Sequence, residues 1–170
     1  MIVEGRSIPV VAFVGRSGSG KTTLLTQVIA ELERLGVRVA AVKHVPQYDI
    51  VSDAVGSDTY RFWNAGASAV VLVGKDRVVK TCRHTEEPDI ATLVAGLDGA
   101  ELVLLEGFKW SRYEKVEVVR AACDPVPLPD LDGRIAYVTD VPLADPDCAV
   151  FGFGEVAKLV VFLMGRCLDR

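Results

Sequence analysis

Hydrophobic positions along the chain follow two periods. Ile8-Pro9-Val10-Val11-Ala12-Phe13-Val14 and, after Glu101, Leu102-Val103-Leu104-Leu105 are apolar runs short enough for strands covered on both faces. From Thr22 to Leu35 the spacing changes. Leu24, Leu25, Val28, Ile29, Leu32 and Leu35 fall three and four apart with Gln27, Glu31 and Arg34 on the other side, which predicts an amphipathic helix stopped by Gly36. Val37 to Val42 reads as the next strand, ending at Lys43-His44, and a strand, helix and strand in this order predict a right-handed crossover and a parallel sheet.

Residues 45 to 57 carry Pro46, Asp49, Ser52, Asp53 and Gly56 without a period and predict a loop whose length suggests function. Asp58 to Ala65 is helical in pattern, with Tyr60, Phe62 and Trp63 read as packing residues and Gly66 as its end. Ser68 to Val73 and Arg77 to Cys82 read as a hairpin across Gly74-Lys75-Asp76, adding antiparallel strands to an otherwise parallel sheet. Pro88 opens a helical stretch through Leu97. Val116 to Arg120 alternates like a strand, 123 to 131 with three prolines is a loop, and Ile135 to Val138 is the last clear strand. From Glu155, Val156, Leu159, Val160, Phe162, Leu163 and Met164 predict a helix too apolar for one exposed face, buried in the fold or in a subunit interface.

Composition narrows the class. A chain of 170 residues suits one domain, expected over 1–170, and 50% apolar with 25% charged residues is globular. A net charge of −4 disfavours a nucleic-acid partner, which needs a basic surface to displace counterions. No apolar run approaches the length of a membrane span, and Glu4 stands where a secretory signal would carry its apolar core, so a cytoplasmic protein is expected. Cys82, Cys123, Cys148 and Cys167 form no C-x-x-C pair and read as buried thiols.

The strongest chemical signal lies between the first strand and the first helix. Gly15-Arg16-Ser17-Gly18-Ser19-Gly20-Lys21-Thr22 fits G-x-x-x-x-G-K-[ST] at every fixed position, in the strand-to-helix context the pattern requires. Glycines 15, 18 and 20 let backbone N–H groups approach phosphate oxygens, and the helix adds the positive end of its dipole. Lys21 would supply charge to the terminal phosphates, Thr22 a hydroxyl to Mg²⁺, and Thr23 a further phosphate contact. The expected architecture is a three-layer α/β P-loop fold with a mostly parallel sheet, and the expected ligand a nucleoside triphosphate.

In such a sheet ligands bind beyond the carboxyl ends of the strands. Four ends are chemically loaded: Gly15 to Thr22, Lys43-His44, Glu106-Gly107 and Thr139-Asp140. Glu106, an acid after an apolar strand, is the candidate to hold Mg²⁺ with Thr22, directly or through water. Lys43 and His44 could meet phosphate or a second anion, and Asp49, Asp53 and Asp58 could reach metal or position water. The N-K-x-D signature of many guanine-binding proteins is absent, leaving Asp140 as a candidate for the base by position alone.

Four segments, taken together, resemble one family. They are Gly15 to Leu24; Val42-Lys43-His44 followed by Asp53, Gly56-Ser57-Asp58-Thr59-Tyr60-Arg61 and Ala65-Gly66-Ala67; Leu105-Glu106-Gly107-Phe108-Lys109; and Lys115-Val116-Glu117-Val118-Val119-Arg120. They are similar to the molybdopterin-guanine dinucleotide biosynthesis protein B (MobB) family. Two positions depart from it: Val51-Ser52-Asp53 stands where the family has D-[IFL]-D, and Ser57 where it has lysine. The resemblance implies a cytoplasmic homodimer that binds GTP, in preference to ATP, with Mg²⁺, hydrolyses it slowly, and assists the MobA-type guanylyltransferase that joins GMP to molybdopterin. It also implies phosphate binding by Gly15 to Thr23, and places Asp53, Asp58 and Arg61 in a segment over the site. Arg61, Arg112 and Arg120 are candidate arginine fingers, supplied in the same chain or, for the last two, by a second subunit. The alternatives are a small-molecule kinase using Asp53 or Asp58 as base, and a nucleotide-gated adaptor without turnover.

Overall fold

A computed structural model describes residues 8–45 and 54–168. They divide between two compact units, Met1–His44 with Val94–Arg170, and Val45–Leu93. The first carries a six-stranded sheet with β1 (Val10–Gly15), β2 (Val39–Lys43), β5 (Leu102–Glu106), β6 (Glu114–Val119), β7 (Arg134–Thr139) and β8 (Ala149–Phe151). Its order is β2-β5-β1-β6-β7-β8 and every pairing is parallel. All six carboxyl ends therefore lie along one rim.

The apolar runs at β1 and β5 are central, as their composition dictates, and Val11 to Val14 and Leu102 to Leu105 are fully buried. The helices α1 (Lys21–Arg34) and α4 (Val156–Cys167) share one core with a single face of the sheet: Leu24, Val28, Leu32, Leu159 and Leu163 meet Val11, Phe13, Leu104, Val116 and Val118. In α4 Leu159, Val160 and Leu163 are buried but Val161 is largely exposed, so one face of this very apolar helix does reach the surface.

The opposite face of β6 has another solution. Lys115 and Glu117 alternate with the valines, pair in register with Ala12 and Val14, and are each only 1% exposed. The Nζ of Lys115 donates to the carbonyl oxygens of Ser111, Tyr113 and Asp132 at 2.7, 2.7 and 2.9 Å, so its charge is met by three dipoles. Glu117 pairs with Arg134 at 2.7 Å and accepts from the backbone N–H of Leu128 at 2.6 Å. The proline-rich loop expected at 123 to 131 is thereby fastened over the sheet.

The second unit contains α2 (Asp58–Asn64), β3 (Ala69–Val73), β4 (Val78–Cys82) and most of α3 (Ile90–Ala95), whose last residues belong to the first unit. Ser57 caps α2, its hydroxyl accepting from the N–H of Tyr60. The hairpin is present, but β3 and β4 form an antiparallel sheet of their own. Phe62 is 57% exposed and Arg83 lies over the Trp63 ring, so packing takes up only part of the aromatic set in α2.

The thiols expected to be buried are not enclosed: Cys123 is exposed and Cys82, Cys148 and Cys167 are half-buried. The strand β8 has only three residues, too few to show a period. Among the described residues no helix is long and apolar enough to cross a membrane.

Candidate functional site

The glycines at the junction of β1 and α1 hold φ angles of 147°, 77° and 88°, which residues with side chains rarely adopt. A Cβ on Gly15, whose φ is 147°, would stand 2.3 Å from the carbonyl oxygen of Val118 on the neighbouring strand. Gly20 adopts a left-handed conformation as the N-cap of α1 and provides no side-chain cap. No acid sits in the first turn, so its N–H groups and the dipole are left for an anion. Ser19 is buried, its hydroxyl without a protein partner, whereas Ser17 and Thr23 are exposed. Lys21 folds back over the loop and donates from Nζ to the carbonyl oxygens of Arg16 at 2.7 Å and Gly15 at 3.3 Å. Burial holds its ammonium below the usual lysine range; Glu106 opposes that shift, and Lys109 and Lys43 reinforce it.

Parallel pairing carries the next strand ends to this loop. Lys43 lies opposite Glu106 in register, and Glu106 closes the strand beside β1. One carboxylate oxygen, Oε1 of Glu106, accepts from the Thr22 hydroxyl at 2.8 Å and pairs with the Nζ of Lys43 at 3.1 Å. The N–H of His44 donates to the Glu106 carbonyl at 3.1 Å, and the His44 ring stacks on Phe108 at 4.9 Å. Phe108 itself holds a left-handed φ of 55°, so the turn after Glu106 contains a strained residue stacked on His44, the residue that follows β2. Thr22, Lys43 and Glu106 also line a cavity of about 230 Å³ walled by Leu25, Ile29 and Val42.

On the other side of the loop the end of β6 closes in. Arg120 lies against Gly20, over the Phe153 ring at 4.8 Å and 3.7 Å from Asp140, which also accepts from the N–H of Ala121 at 2.7 Å. Arg120 therefore meets the loop within its own chain. Arg16 pairs with Asp124 at 2.9 Å, and the thiol of Cys123 stands 3.4 Å from where a Gly18 Cβ would be. No pattern pointed to these two contacts, which join segments about a hundred residues apart.

Of the residues expected in the site, Gly15, Ser17, Gly18, Ser19, Gly20, Lys21, Thr22, Thr23, Lys43, His44 and Glu106 belong to the first unit, and the loop, Lys43, His44 and Glu106 are brought together. Asp58 and Arg61 belong to the second, where they are exposed and 3.7 Å apart. Asp49 and Asp53 lie outside the described residues. Arg112 lies over the Tyr113 ring at 5.6 Å.

Thr22 and Glu106 offer hard oxygen donors of the kind Mg²⁺ takes, next to a loop able to receive phosphate; the donor set fits the ion. Residues 10–140 match the family described as molybdopterin guanine dinucleotide synthesis protein B (MobB). The chain belongs to the MobB family. It is 32% identical over 163 residues to a molybdopterin-guanine dinucleotide biosynthesis adapter protein of Escherichia coli (strain K12), covering 92% of each chain. A protein of the same description from Haemophilus influenzae is 34% identical over 166 residues, covering 96% of this chain and 92% of its own. Among solved structures, a MobB homolog from Bacillus stearothermophilus superposes with a TM-score of 0.72 at 30% identity, over 95% of this chain and 99% of that one. The fold of this MobB-family chain is thus the α/β P-loop type with an added antiparallel hairpin.

Proposed function

We propose that this chain binds GTP with Mg²⁺ at Gly15 to Thr23 and acts as a GTP-binding adapter in molybdenum cofactor biosynthesis, working in the cytoplasm as a homodimer beside a MobA-type guanylyltransferase. The observation that carries the nucleotide reading is the 2.8 Å contact between Thr22 and Glu106, at the mouth of an uncapped helix N-terminus. When bound, Mg²⁺ would neutralise phosphate charge, with Thr22 and Glu106 as the groups that hold it. The loop amides grip the phosphates, and Lys21 leaves the Arg16 and Gly15 carbonyls to reach them.

Asp140 supports guanine. It follows the last residue of β7 on the same rim, and the Ala121 N–H donates to its carboxylate. A carboxylate suits the two donors on guanine N1 and N2 and opposes the lone pair on adenine N1. Slow hydrolysis fits a site whose Arg120 is tied to Asp140 and Phe153, since a freely placed arginine is worth about 10³ to 10⁵ in rate.

Calorimetry with GTP and ATP, with and without Mg²⁺, tests the ligand. GTP is expected to bind more tightly, and Asp140→Asn to lose GTP while gaining xanthosine triphosphate, whose C2 oxygen accepts from an amide. Equal binding of GTP and ATP would remove the base assignment, and binding of neither would remove the nucleotide reading. Pull-down of the guanylyltransferase, expected with GTP and reduced without it, tests the adapter role.

A further inference from the structure

The position between Thr22 and Glu106 is already served by a positive charge from the protein itself. Oε1 of Glu106 receives both the Thr22 hydroxyl and the Lys43 ammonium, at 2.8 and 3.1 Å. The Glu106 side chain is only 12% exposed, so a bare carboxylate there would be costly, whereas Lys43 at 57% exposed is free to swing away. Edge strand β2 exists in this register with β5, which puts Lys43 opposite Glu106. Lys21 also feels this carboxylate, while Lys43 and Lys109 act on Lys21 as like charges.

We infer that Lys43 is a resident stand-in for the divalent cation: it neutralises Glu106 until a metal-bearing triphosphate arrives, then gives up the carboxylate oxygen. The inference rests on the nucleotide reading above and assigns Lys43 a positioning role through Glu106, distinct from phosphate binding. Its consequence is a particular coupling. With Lys43 in place, a metal-free triphosphate meets a neutral pair. Without it, the same polyanion meets an unpaired carboxylate about one ion's width from the phosphate loop, and only the metal-loaded form escapes the repulsion.

The test is calorimetric titration of the full chain with GTP in EDTA and in saturating Mg²⁺. For Lys43→Gln, the ratio of the metal-free to the Mg²⁺-loaded Kd should rise about tenfold over the parent, because one buried partner is left unpaired. Lys43→Arg should keep the parental ratio. In the double variant Lys43→Gln/Glu106→Gln the metal-free affinity should return to the parental level, since no charge is left bare. Lys43→Ser provides the same measurement on a second side chain, and circular dichroism checks that each variant is folded. Equal weakening of both forms, or a double variant that stays as weak as the single in EDTA, would make Lys43 a plain phosphate contact and overturn the inference. So would an unchanged ratio. A parent that binds no triphosphate even with Mg²⁺ fails the nucleotide reading instead, which separates the two.

Discussion

The guanidinium of Arg120 stands so close to Gly20 that a Cβ at position 20 would come within 2.8 Å of its Nη1. The contact joins the end of β6 to the start of α1, and Gly20 is required by its φ of 88°, with the movable Arg120 side chain adding a second, smaller demand. Gly20→Ala should cost about 1–3 kcal/mol in urea unfolding. Adding Arg120→Ala should return the steric share and leave the backbone share, so the double variant is expected between the single variant and the parent. A double variant as unstable as the single would mean that Arg120 yields at no cost.

Lys21 donates to the Arg16 and Gly15 carbonyls of its own loop. Lys21→Met should weaken GTP binding roughly ten- to a hundredfold, a loss of about 1.5–3 kcal/mol, measured by calorimetry. Without nucleotide the pH dependence has a definite sign. Burial lowers the Lys21 pKa from its ordinary 10.5, so its penalty is fully present at neutral pH and is relieved as pH rises from the lowered value to 10.5. The unfolding free energy of the parent minus that of Lys21→Met should therefore increase between pH 7 and pH 10, and a decrease would contradict the burial of this ammonium.

Lys115 ties three carbonyls that no other described side chain is seen to meet. Lys115→Ala leaves those oxygens unpaired and a void under the 128–133 loop, and should cost about 3–5 kcal/mol in stability. Lys115→Met restores much of the volume without the donors. It is expected to recover less than half of the loss, as read by thermal and urea unfolding; full recovery would show that volume alone mattered.

The thiols should separate by reactivity. Burial, helped by Asp147, pushes the Cys148 thiol up to about 11, and burial also raises Cys167, while Cys123 is exposed beside Gly18. Alkylation at pH 8 should therefore label Cys123 well before Cys148 or Cys167, since the thiolate is the nucleophile. Saturating GTP should slow labelling of Cys123 several-fold by covering the loop. Mass spectrometry of the labelled peptides gives both results, and Cys148 reacting first would refute the burial argument.

The strand, helix and glycine-rich loop around Gly15 to Thr22 were legible because each is a local matter. Gly15 to Thr22 needs its glycines for backbone geometry inside eight residues, and α1 follows from one periodic face. Glu106 could be singled out because an acid directly after a buried apolar run has few reasons to be there. The alternation at 116 to 120 told only which residues share a face. It did not tell that Lys115 and Glu117 would be buried, because that depends on a loop some ten residues onward being fastened over them.

What the amino-acid order determined alone is most of the elements, the glycine-rich loop between β1 and α1 and the family's residues in sequence. What tertiary structure decided is which distant side chains share an atom: Thr22 and Lys43 on one oxygen of Glu106, and Arg120 against Gly20. The physical reason is the strand order β2-β5-β1-β6, which sets remote segments a strand's width apart and is chosen by how whole faces pack, a cooperative property that no short window of sequence contains.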